Sequence, residues 1–598
     1  MNRPSRTDEP YEGEGHNQSP NSLPNDLTTN EDLNGIANAR EARQNDELLR
    51  FKNGPPWYEN HGETTPSGED RRQWLTSDSA GQPSGGAVGS HDPTPLPNSS
   101  PTFMRRSHRY ASGCRSALQW SKDSLMKFGT FIGPGFMIAV AYIDPGNYAT
   151  DVAAGATYEY RLLFIVLLAN IFAIFLQTLC IKLGTVTGLN LAECCRAFLP
   201  RWLNLVLYVF AEIAIIATDI AEVIGFAIAL NLLIPAVPLV VGCAISILDV
   251  FVTLYFYNPQ GSMKGLRIFE CFIACLVLSV VVCFCIQLSM VQETPVGDIF
   301  KGYLPSKAII QGKGLYQACG ILGATVMPHS LYLGSGIVQP RLREFDAKNG
   351  LLSTGASTAP QDGEDVDKSQ YVPSLKAIRH AMTMSSFELG IALFTFALFV
   401  NSAILIVAGD SLYGTPNASD ADIFSIHELL SQSISTAAGT MFALALLLSG
   451  VSAGIVCTIA GQMVCEGALN WKMRPWLRRL VTRSISITPS VIIAGAVGRQ
   501  GISAALNASQ VVLSVVLPFL TAPLIYFTCC GKFMTVQVDS VRDEGEHTSG
   551  VRDVAAGERS ITTVQLANSW YTTVIAVLVW IAIASMNVAN LVLLGQGN

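Results

Sequence analysis

Apolar runs of about 20 residues recur along the chain from about Leu125 onward, and each is long enough to cross a hydrocarbon core of about 30 Å. Counting such windows predicts about eleven spans. The predicted spans cover residues 128–157, 162–184, 203–232, 237–257, 267–290, 315–338, 380–408, 436–466, 481–498, 508–528 and 567–595. The pattern therefore predicts an all-α protein that crosses a membrane many times.

Two of these spans contain helix-breaking residues. The first span is interrupted at residues 144–147 (Asp-Pro-Gly-Asn) and the sixth at residues 327–329 (Met-Pro-His). Irregular backbone at membrane depth is tolerated only where it is buried in protein or lines a polar cavity. Interrupted segments at corresponding positions of two halves indicate an inverted-repeat transporter with its substrate site at the breaks. We therefore expect the two breaks to form one site.

The first 115 residues differ from the rest, because they are rich in Ser, Pro, Gly, Asn, Asp and Glu and have no apolar period. We predict a disordered cytoplasmic tail over residues 1–115 and a transporter domain over residues 116–598. Residues 1–100 hold 8 basic and 16 acidic residues, against 39 and 46 in the whole chain, so the predicted domain is nearly neutral. A nearly neutral domain gives no information about an acidic or basic partner, and no nucleic-acid partner is expected. Charged residues make up 14% of the chain, below the ~25% of soluble domains.

Lys and Arg are concentrated in alternate loops, which predicts that the tail is cytoplasmic. These residues are Arg105, Arg106, Arg109, Arg115, Lys182, Arg196, Arg201, Lys264, Arg267, Lys472, Arg474, Arg478 and Arg479. Asn417 (Asn-Ala-Ser) then lies outside the cell or in a lumen and is a candidate glycosylation site. Residues 341–379 and 531–564 are expected to be polar cytoplasmic loops. The 14 Cys show no zinc spacing and are expected to be small buried hydrophobes.

The two breaks offer ligands for a metal ion. Asp144 has a carboxylate, Asn147 an amide oxygen and Met327 a thioether, and backbone carbonyls are freed around Tyr142 and Ala324. Oxygen ligands alone suit Ca²⁺ or Mg²⁺, whereas a sulfur ligand favours Fe²⁺, Mn²⁺, Co²⁺ or Cd²⁺. Met in a membrane helix is usually packing filler, but its position at a helix break favours ligation.

Ionisable residues also occur inside other spans. In the third span, Glu212, Asp219 and Glu222 lie at i, i+7 and i+10 and so share one side of a helix. Carboxylates at this depth indicate a proton or ion path, although they could also simply pair with cations on neighbouring helices. Arg483 is a candidate partner, unless it reaches to the membrane interface instead. His329 is either a proton acceptor beside the metal or a histidine satisfied by backbone.

Five segments resemble the signature of the Nramp (natural-resistance-associated macrophage protein) family of proton-coupled divalent metal transporters. The segments are IDPGNYATD, ATDIAE, ATVMPHSLYLGSGIVQPR, TRSISITP and NASQVVLSVVLPF. The resemblance extends over about residues 127–594, and its wording is most similar to that of fungal members. It implies a leucine-transporter-like inverted repeat of five plus five helices, with one extra C-terminal transmembrane helix.

The resemblance also implies roles for individual residues. The implied metal site comprises Asp144, Asn147, Met327 and the carbonyl of Ala324, joined in some conformations by Tyr142 or Gln510. The implied proton route runs from Asp144 and His329 through Glu212, Asp219, Glu222 and Arg483. Two departures from the family pattern stand at Gly334, where many members have a second His, and at Thr482, where some bacterial members have a second Arg.

The expected function is symport of Mn²⁺, Fe²⁺ or related ions with protons toward the cytosol, across a plasma, endosomal or vacuolar membrane. The expected partners are metal ions, protons and the lipid bilayer, with no permanently bound cofactor and no enzymatic activity. A Na⁺-coupled amino-acid transporter is a weaker alternative, because an Asp-Asn-Met site would repel a substrate carboxylate. An intramembrane aspartyl protease would need a Gly-x-Gly-Asp segment, which is absent from the sequence. A metal-sensing receptor without transport is a third alternative.

Overall fold

The computed structural model describes residues 133–248, 263–291, 295–311, 313–351, 373–415, 421–470, 475–496, 498–539 and 561–596. The chain divides into two units, and all described residues belong to the second, Asn98–Asn598. The predicted tail over residues 1–115, its boundary and the Asn417 glycosylation site lie outside the described residues.

The described residues are mainly helical. The helices of the first half are α1 (Pro134–Val140), α2 (Pro145–Tyr158), α3 (Leu163–Thr187), α4 (Leu191–Phe198), α5 (Arg201–Leu233), α6 (Leu239–Ile245), α7 (Met263–Met290) and α8 (Val296–Lys301). After a 3₁₀ turn at Lys307–Ile310 come α9 (Gly314–Thr325), α10 (Pro328–Gly336), α11 (Gln339–Lys348), α12 (Leu375–Ala392), α13 (Leu398–Leu412), α14 (Ile423–Ser433), α15 (Thr436–Leu469), α16 (Pro475–Ala496), α17 (Gly498–Cys529) and α18 (Trp570–Gly595). A π-helical turn, Leu393–Ala397, joins α12 to α13.

Both predicted helix breaks are confirmed. The first membrane helix consists of α1 and α2, separated at residues 141–144, and the sixth consists of α9 and α10, separated at residues 326–327. The second half of each begins with a proline, Pro145 or Pro328. Proline has no N–H to donate to the preceding turn, but it fits the first turn of a new helix.

The two halves pack on each other reciprocally. Helix α2, in the first membrane helix of half one, packs on α13, in the second membrane helix of half two. Reciprocally, α9 and α10, which form the first membrane helix of half two, pack on α3, the second membrane helix of half one. The third and fifth helices of half one, α5 and α7, contact the fifth and third of half two, α17 and α15. Such exchange is expected of two repeats related by a pseudo-twofold axis. The predicted fold class, an inverted repeat of five plus five helices with α18 as the additional helix, is confirmed.

The chain is a multi-pass membrane protein. Among the described residues, eight helices are long and apolar enough to cross a bilayer. Three of the predicted spans are not among them, because the first is broken, the fourth (237–257) lies partly outside the described residues, and α16 carries several basic residues. Helix α18 exposes large apolar side chains along its length, including Trp570, Ile581 and Val592. An apolar surface of this extent suits contact with lipid.

Two of the predicted cytoplasmic loops contain more regular structure than expected. Helix α11 continues to Lys348 and α12 begins at Leu375, so the predicted loop over 341–379 is shorter than its polar composition indicated. In the second loop, β1 (Thr535–Asp539) pairs antiparallel with β2 (Ile561–Gln565). The alternating Val and Thr residues of these short segments favour a strand pair, which a search for long apolar runs does not detect.

Candidate metal centre and adjoining carboxylates

Asp144 is the N-cap of α2, at the break in the first membrane helix. Its side chain accepts hydrogen bonds from the backbone N–H groups of Gly146 (2.9 Å) and Asn147 (3.1 Å). The N-terminus of a helix stabilises negative charge, because its first N–H groups have no partner within the helix. Asp144 is fully buried. The local sequence therefore holds a carboxylate at the centre of the protein in a fixed orientation.

The side-chain amide of Asn147 lies between three oxygen atoms. Its Nδ2 atom is 2.6 Å from Asp144 Oδ1, 3.1 Å from the carbonyl oxygen of Ala324 and 3.3 Å from that of Tyr142. Ala324 belongs to α9, 177 residues farther along the chain. Oxygens from both helix breaks thus converge on one place, as the two interruptions led us to expect.

The second break contributes Met327, the N-cap of α10, and its side chain is fully buried. Two polar residues that the sequence interpretation overlooked also reach the convergence point. The Thr325 hydroxyl lies 3.4 Å from Asn147 Oδ1, and Asn401 of α13 donates to the Tyr142 carbonyl (3.1 Å) and to Asn147 Oδ1 (3.3 Å). A buried Asn inside an apolar span was a usable signal for this site.

Gln510 of α17 lies next to the first break. A Cβ atom added at Gly146 would collide with the Gln510 amide and would lie 2.8 Å from Asp144 Oδ2. The absence of a Cβ atom at Gly146 therefore permits the side chains of Gln510 and Asp144 to lie close to the backbone at this position. Gln510 Nε2 donates to the Ser509 hydroxyl (3.0 Å), while its Oε1 is buried without a hydrogen-bond partner in the described part of the chain. That oxygen is a spare acceptor beside Asp144.

Tyr142 takes part in the centre through its backbone, whereas its side chain lies in a separate network. The Tyr142 hydroxyl is 3.0 Å from Ser330 Oγ and accepts from Gln177 Nε2 (2.8 Å). Gln177 Nε2 also lies 2.8 Å from Ser330 Oγ and 3.0 Å from the Ser330 carbonyl oxygen. This network connects α3 to both broken helices.

Gly334, a departure from the family pattern, contacts this network. A Cβ atom at position 334 would collide with Gln177 Oε1 and would lie 3.3 Å from Cys180 Cβ. We expect Gly334→Ala to destabilise the protein by about 1–3 kcal/mol, because overpacking forces buried neighbours to move. The apparent melting temperature in detergent measures this, with Gly390→Ala as the control, since a Cβ there meets no atom within 4 Å. Equal melting temperatures for the two variants would contradict the steric argument.

Two of the three third-span carboxylates form a buried cluster with Arg483. The Arg483 guanidinium makes a close ion pair with Asp219 and lies 3.5 Å from Glu222 Oε2. All three side chains are buried. The Cys457 thiol of α15 lies within 4.8 Å of both carboxylates. A cation already compensates this cluster, so its chemistry differs from that of the centre at Asp144.

Glu212 does not belong to this cluster. It lies about 10 Å along α5 from Asp219, two helical turns away, and is only half-buried. Its carboxylate accepts a hydrogen bond from the Cys465 thiol of α15 (3.0 Å). The i+7 spacing correctly indicated a shared helix face but not a shared contact.

His329 links the two regions. It follows Met327 and Pro328 at the second break, and its Nδ1 atom is 3.3 Å from the hydroxyl of Thr218, the neighbour of Asp219. The ring is buried, and it interacts electrostatically with Asp219. One side chain therefore connects the break that holds Met327 to the helix that holds the carboxylates.

A helical membrane protein whose two halves each begin with a broken helix, and whose buried oxygen ligands meet at the breaks, has the architecture of an inverted-repeat transporter. The profile of the family described as natural resistance-associated macrophage protein-like (Nramp) matches residues 135–542. The chain belongs to this family, whose members are transporters and not enzymes.

Relatives and a solved structure agree with this assignment. The manganese transporter SMF1 of Saccharomyces cerevisiae is 50% identical over 81% of this chain and 88% of its own length. The iron transporter SMF3 of the same yeast is 49% identical over 77% of this chain and 95% of its own length. The crystal structure of the Eremococcus coleocola manganese transporter has a TM-score of 0.60 and 30% identity, covering 76% of this chain and 85% of that one. The resemblance to fungal members is confirmed.

Proposed function

We propose that this protein moves divalent transition-metal ions, chiefly Mn²⁺ and Fe²⁺, toward the cytosol together with protons. The observation that carries the proposal is the convergence of Asp144 Oδ1 and the carbonyl oxygens of Tyr142 and Ala324 on one atom, Asn147 Nδ2. Relatives about half identical to this chain are named manganese and iron transporters, which supports the same class of substrate.

The donor set favours a transition metal over other substrates. A half-turn of the Asn147 amide would exchange the positions of its nitrogen and its oxygen. Its oxygen would then lie among the three converging oxygens, and the four together could bind a metal ion. Met327 adds a thioether at the second break, and Gln510 has an unused amide oxygen nearby. Oxygens combined with one sulfur suit Mn²⁺ and Fe²⁺ better than Ca²⁺ or Mg²⁺.

The geometry disfavours the amino-acid transporter. Such a transporter offers the N–H groups of a broken helix to a substrate carboxylate. Here the N–H groups of Gly146 and Asn147 are bonded to Asp144. The protease alternative lacks support as well, because the two neighbouring carboxyl groups, Asp219 and Glu222, are both occupied by the Arg483 guanidinium.

Protons have a separate route in this proposal. His329 lies between the second break and α5, and the cluster of Asp219, Glu222 and Arg483 lies beyond it. Titratable groups arranged in sequence inside a membrane protein are typical of proton relays. Metal would bind at the breaks while the proton moves along α5, so that Asp144 is the only residue that the two ions share.

The proposed transport cycle requires the first half-helix to move. With the tail in the cytosol, α1 lies on the cytoplasmic side, and there Glu388 accepts the N–H of Gly135 at 3.2 Å. Arg341, whose guanidinium lies against Gly133, bonds to Glu270 at 2.7 Å. Release of these contacts would free α1 and open the cytoplasmic side.

Uptake into proteoliposomes tests the proposed function. We expect Mn²⁺ and Fe²⁺ to enter vesicles that contain the protein. Uptake should be faster when the outside is acidic, and the interior should become more acidic as the metal enters. Protein-free liposomes are the control. Metal uptake without internal acidification would remove the proton from the proposal, and no uptake of any divalent ion would overturn the transport function.

We expect Met327→Ala to retain Mn²⁺ uptake but to let Ca²⁺ compete about tenfold better, an effect of the size seen when a metal site is disturbed. Loss of the sulfur removes the preference for transition metals, since the remaining ligands are all oxygens. Inhibition of Mn²⁺ uptake by graded Ca²⁺ measures the change, with Met441→Ala as a control elsewhere in the membrane domain. Unchanged exclusion of Ca²⁺ would show that Met327 does not set selectivity.

A further inference from the structure

Asp151 is a second carboxylate on the helix that begins at Asp144, and neither the proposed metal centre nor the proton route uses it. Its side chain is fully buried. Neither of its carboxylate oxygens has a hydrogen-bond partner within the described residues. Burial of an unpaired carboxylate is strongly unfavourable, so a residue of this kind calls for a physical explanation.

The other buried carboxylates among the described residues have hydrogen-bond or ion-pair partners. Both oxygens of Asp346 accept hydrogen bonds from Ser374, at 2.9 Å from its N–H and 2.6 Å from its hydroxyl. Glu388 accepts from the backbone N–H of Gly135, and Glu270 is bonded to Arg341. Asp151 lacks an arrangement of this kind, and a purely structural role would be better served by one.

The position of Asp151 relates it to the metal centre. Asp144, Asn147 and Asp151 lie at i, i+3 and i+7, which places them along one face of α2. Seven residues correspond to a rise of about 10 Å, so Asp151 is two helical turns from Asp144. The two carboxyl groups are near enough to interact electrostatically. The face therefore carries a carboxylate, an amide and a second carboxylate in a row.

The row leads from the centre toward the outer side. With the tail in the cytosol, α2 runs outward from Asp144 and ends at Tyr158. Beyond that end, the carbonyl of Gly302, directly after α8, accepts the N–H of Phe164 in α3 (2.9 Å). A cation that comes from outside along this face of α2 meets Asp151 before it meets Asp144.

We propose that Asp151 forms an outer binding site for the incoming metal ion. The ion would bind there, two helical turns outside the central site, before it moves inward past Asn147. The inference rests on the proposed function, because it needs inward metal transport. The ion supplies the positive charge that the surrounding protein does not provide, and Asp151 supplies a ligand at a depth where hydration is already being lost.

The test compares initial rates of Mn²⁺ uptake by wild-type protein, Asp151→Asn, Asp151→Glu and Asp298→Asn in liposomes. Asp298 is an exposed carboxylate in α8, in the outer loop next to the end of α2, so its removal takes the same charge from the same side without touching the row. Calorimetric Mn²⁺ titration of each purified variant reports separately on the central site and on correct folding.

We expect Asp151→Asn to raise the KM for Mn²⁺ about tenfold, since one carboxylate in a low-dielectric route concentrates cations by about that factor. The maximal rate and the calorimetric affinity should stay unchanged, and Asp151→Glu and Asp298→Asn should resemble wild type. Such a split between KM and central-site affinity is not expected of a residue that only supports the fold.

Three results would overturn the inference. An unchanged KM in Asp151→Asn would show that the ion does not use this carboxylate. A rise in KM accompanied by an equal loss of calorimetric affinity would place the effect at the central site. A shift in the pH profile alone would make Asp151 a proton carrier. Failure of the wild-type protein to take up Mn²⁺ would instead overturn the proposed function.

Discussion

Asp144→Asn is expected to reduce Mn²⁺ binding and uptake by at least about 100-fold, more than disturbing the surroundings of a metal site usually costs. Asp144 is the only carboxylate among the proposed ligands, and the remaining neutral groups cannot offset the dehydration of a divalent ion. Asn is as good an N-cap as Asp, so the break and the start of α2 should be retained. The loss of binding should therefore not reflect unfolding.

Calorimetric titration and uptake of radioactive Mn²⁺ measure the effect of Asp144→Asn, and the melting temperature in detergent checks the fold. Asp346→Asn is the matched control, because it removes another buried carboxylate, which lies in α11 and belongs to neither break. Calorimetric binding that survives in Asp144→Asn would mean that the metal site lies elsewhere.

Asp219→Asn is expected to separate the two fluxes. Metal binding should persist, because the converging oxygens belong to other helices, whereas metal-stimulated acidification of the vesicle interior should fall about tenfold or more, as expected when a proton-transfer group is removed. Asn keeps the shape of the side chain but does not titrate. Arg483 would remain beside Glu222 and so would not be left as an isolated buried charge.

Uptake of radioactive Mn²⁺ and internal pH should be recorded in the same vesicles for the Asp219 variant. Asp346→Asn again serves as the control for loss of a buried carboxylate. If metal uptake, proton uptake and metal binding all fall together, Asp219 belongs to the metal site or to the scaffold, and the two-route interpretation is wrong.

Much of the candidate site was accessible from local sequence, because its main elements are encoded within a few residues. The Asp-Pro-Gly-Asn segment at residues 144–147 predicts a break in the first span, and the structure has it. The same reasoning located the second break at Met327 and Pro328. The roles of these residues in metal binding stay predictions until the variants are measured.

Other features depend on contacts between distant segments and could not be read locally. Thr325 and Asn401 join the centre from separate helices, and Gln177 connects α3 to both broken helices. Glu212 pairs with Cys465 of another helix although it shares a face with Asp219. Side-chain periodicity specifies a direction on one helix, but it does not specify which helix packs against that face.

Most of the membrane spans, both helix breaks and the types of ligand available could be predicted from the sequence, since these follow from apolar run length, from the missing N–H of proline and from side-chain chemistry. Only the tertiary structure decided which ligands meet. It brought the Ala324 carbonyl to Asn147 across 177 residues, paired Arg483 with Asp219 and Glu222, and left Asp151 buried without a hydrogen-bond partner among the described residues. The physical reason is that helix packing depends on the joint fit of many side chains from separate segments, which no single stretch of the chain contains.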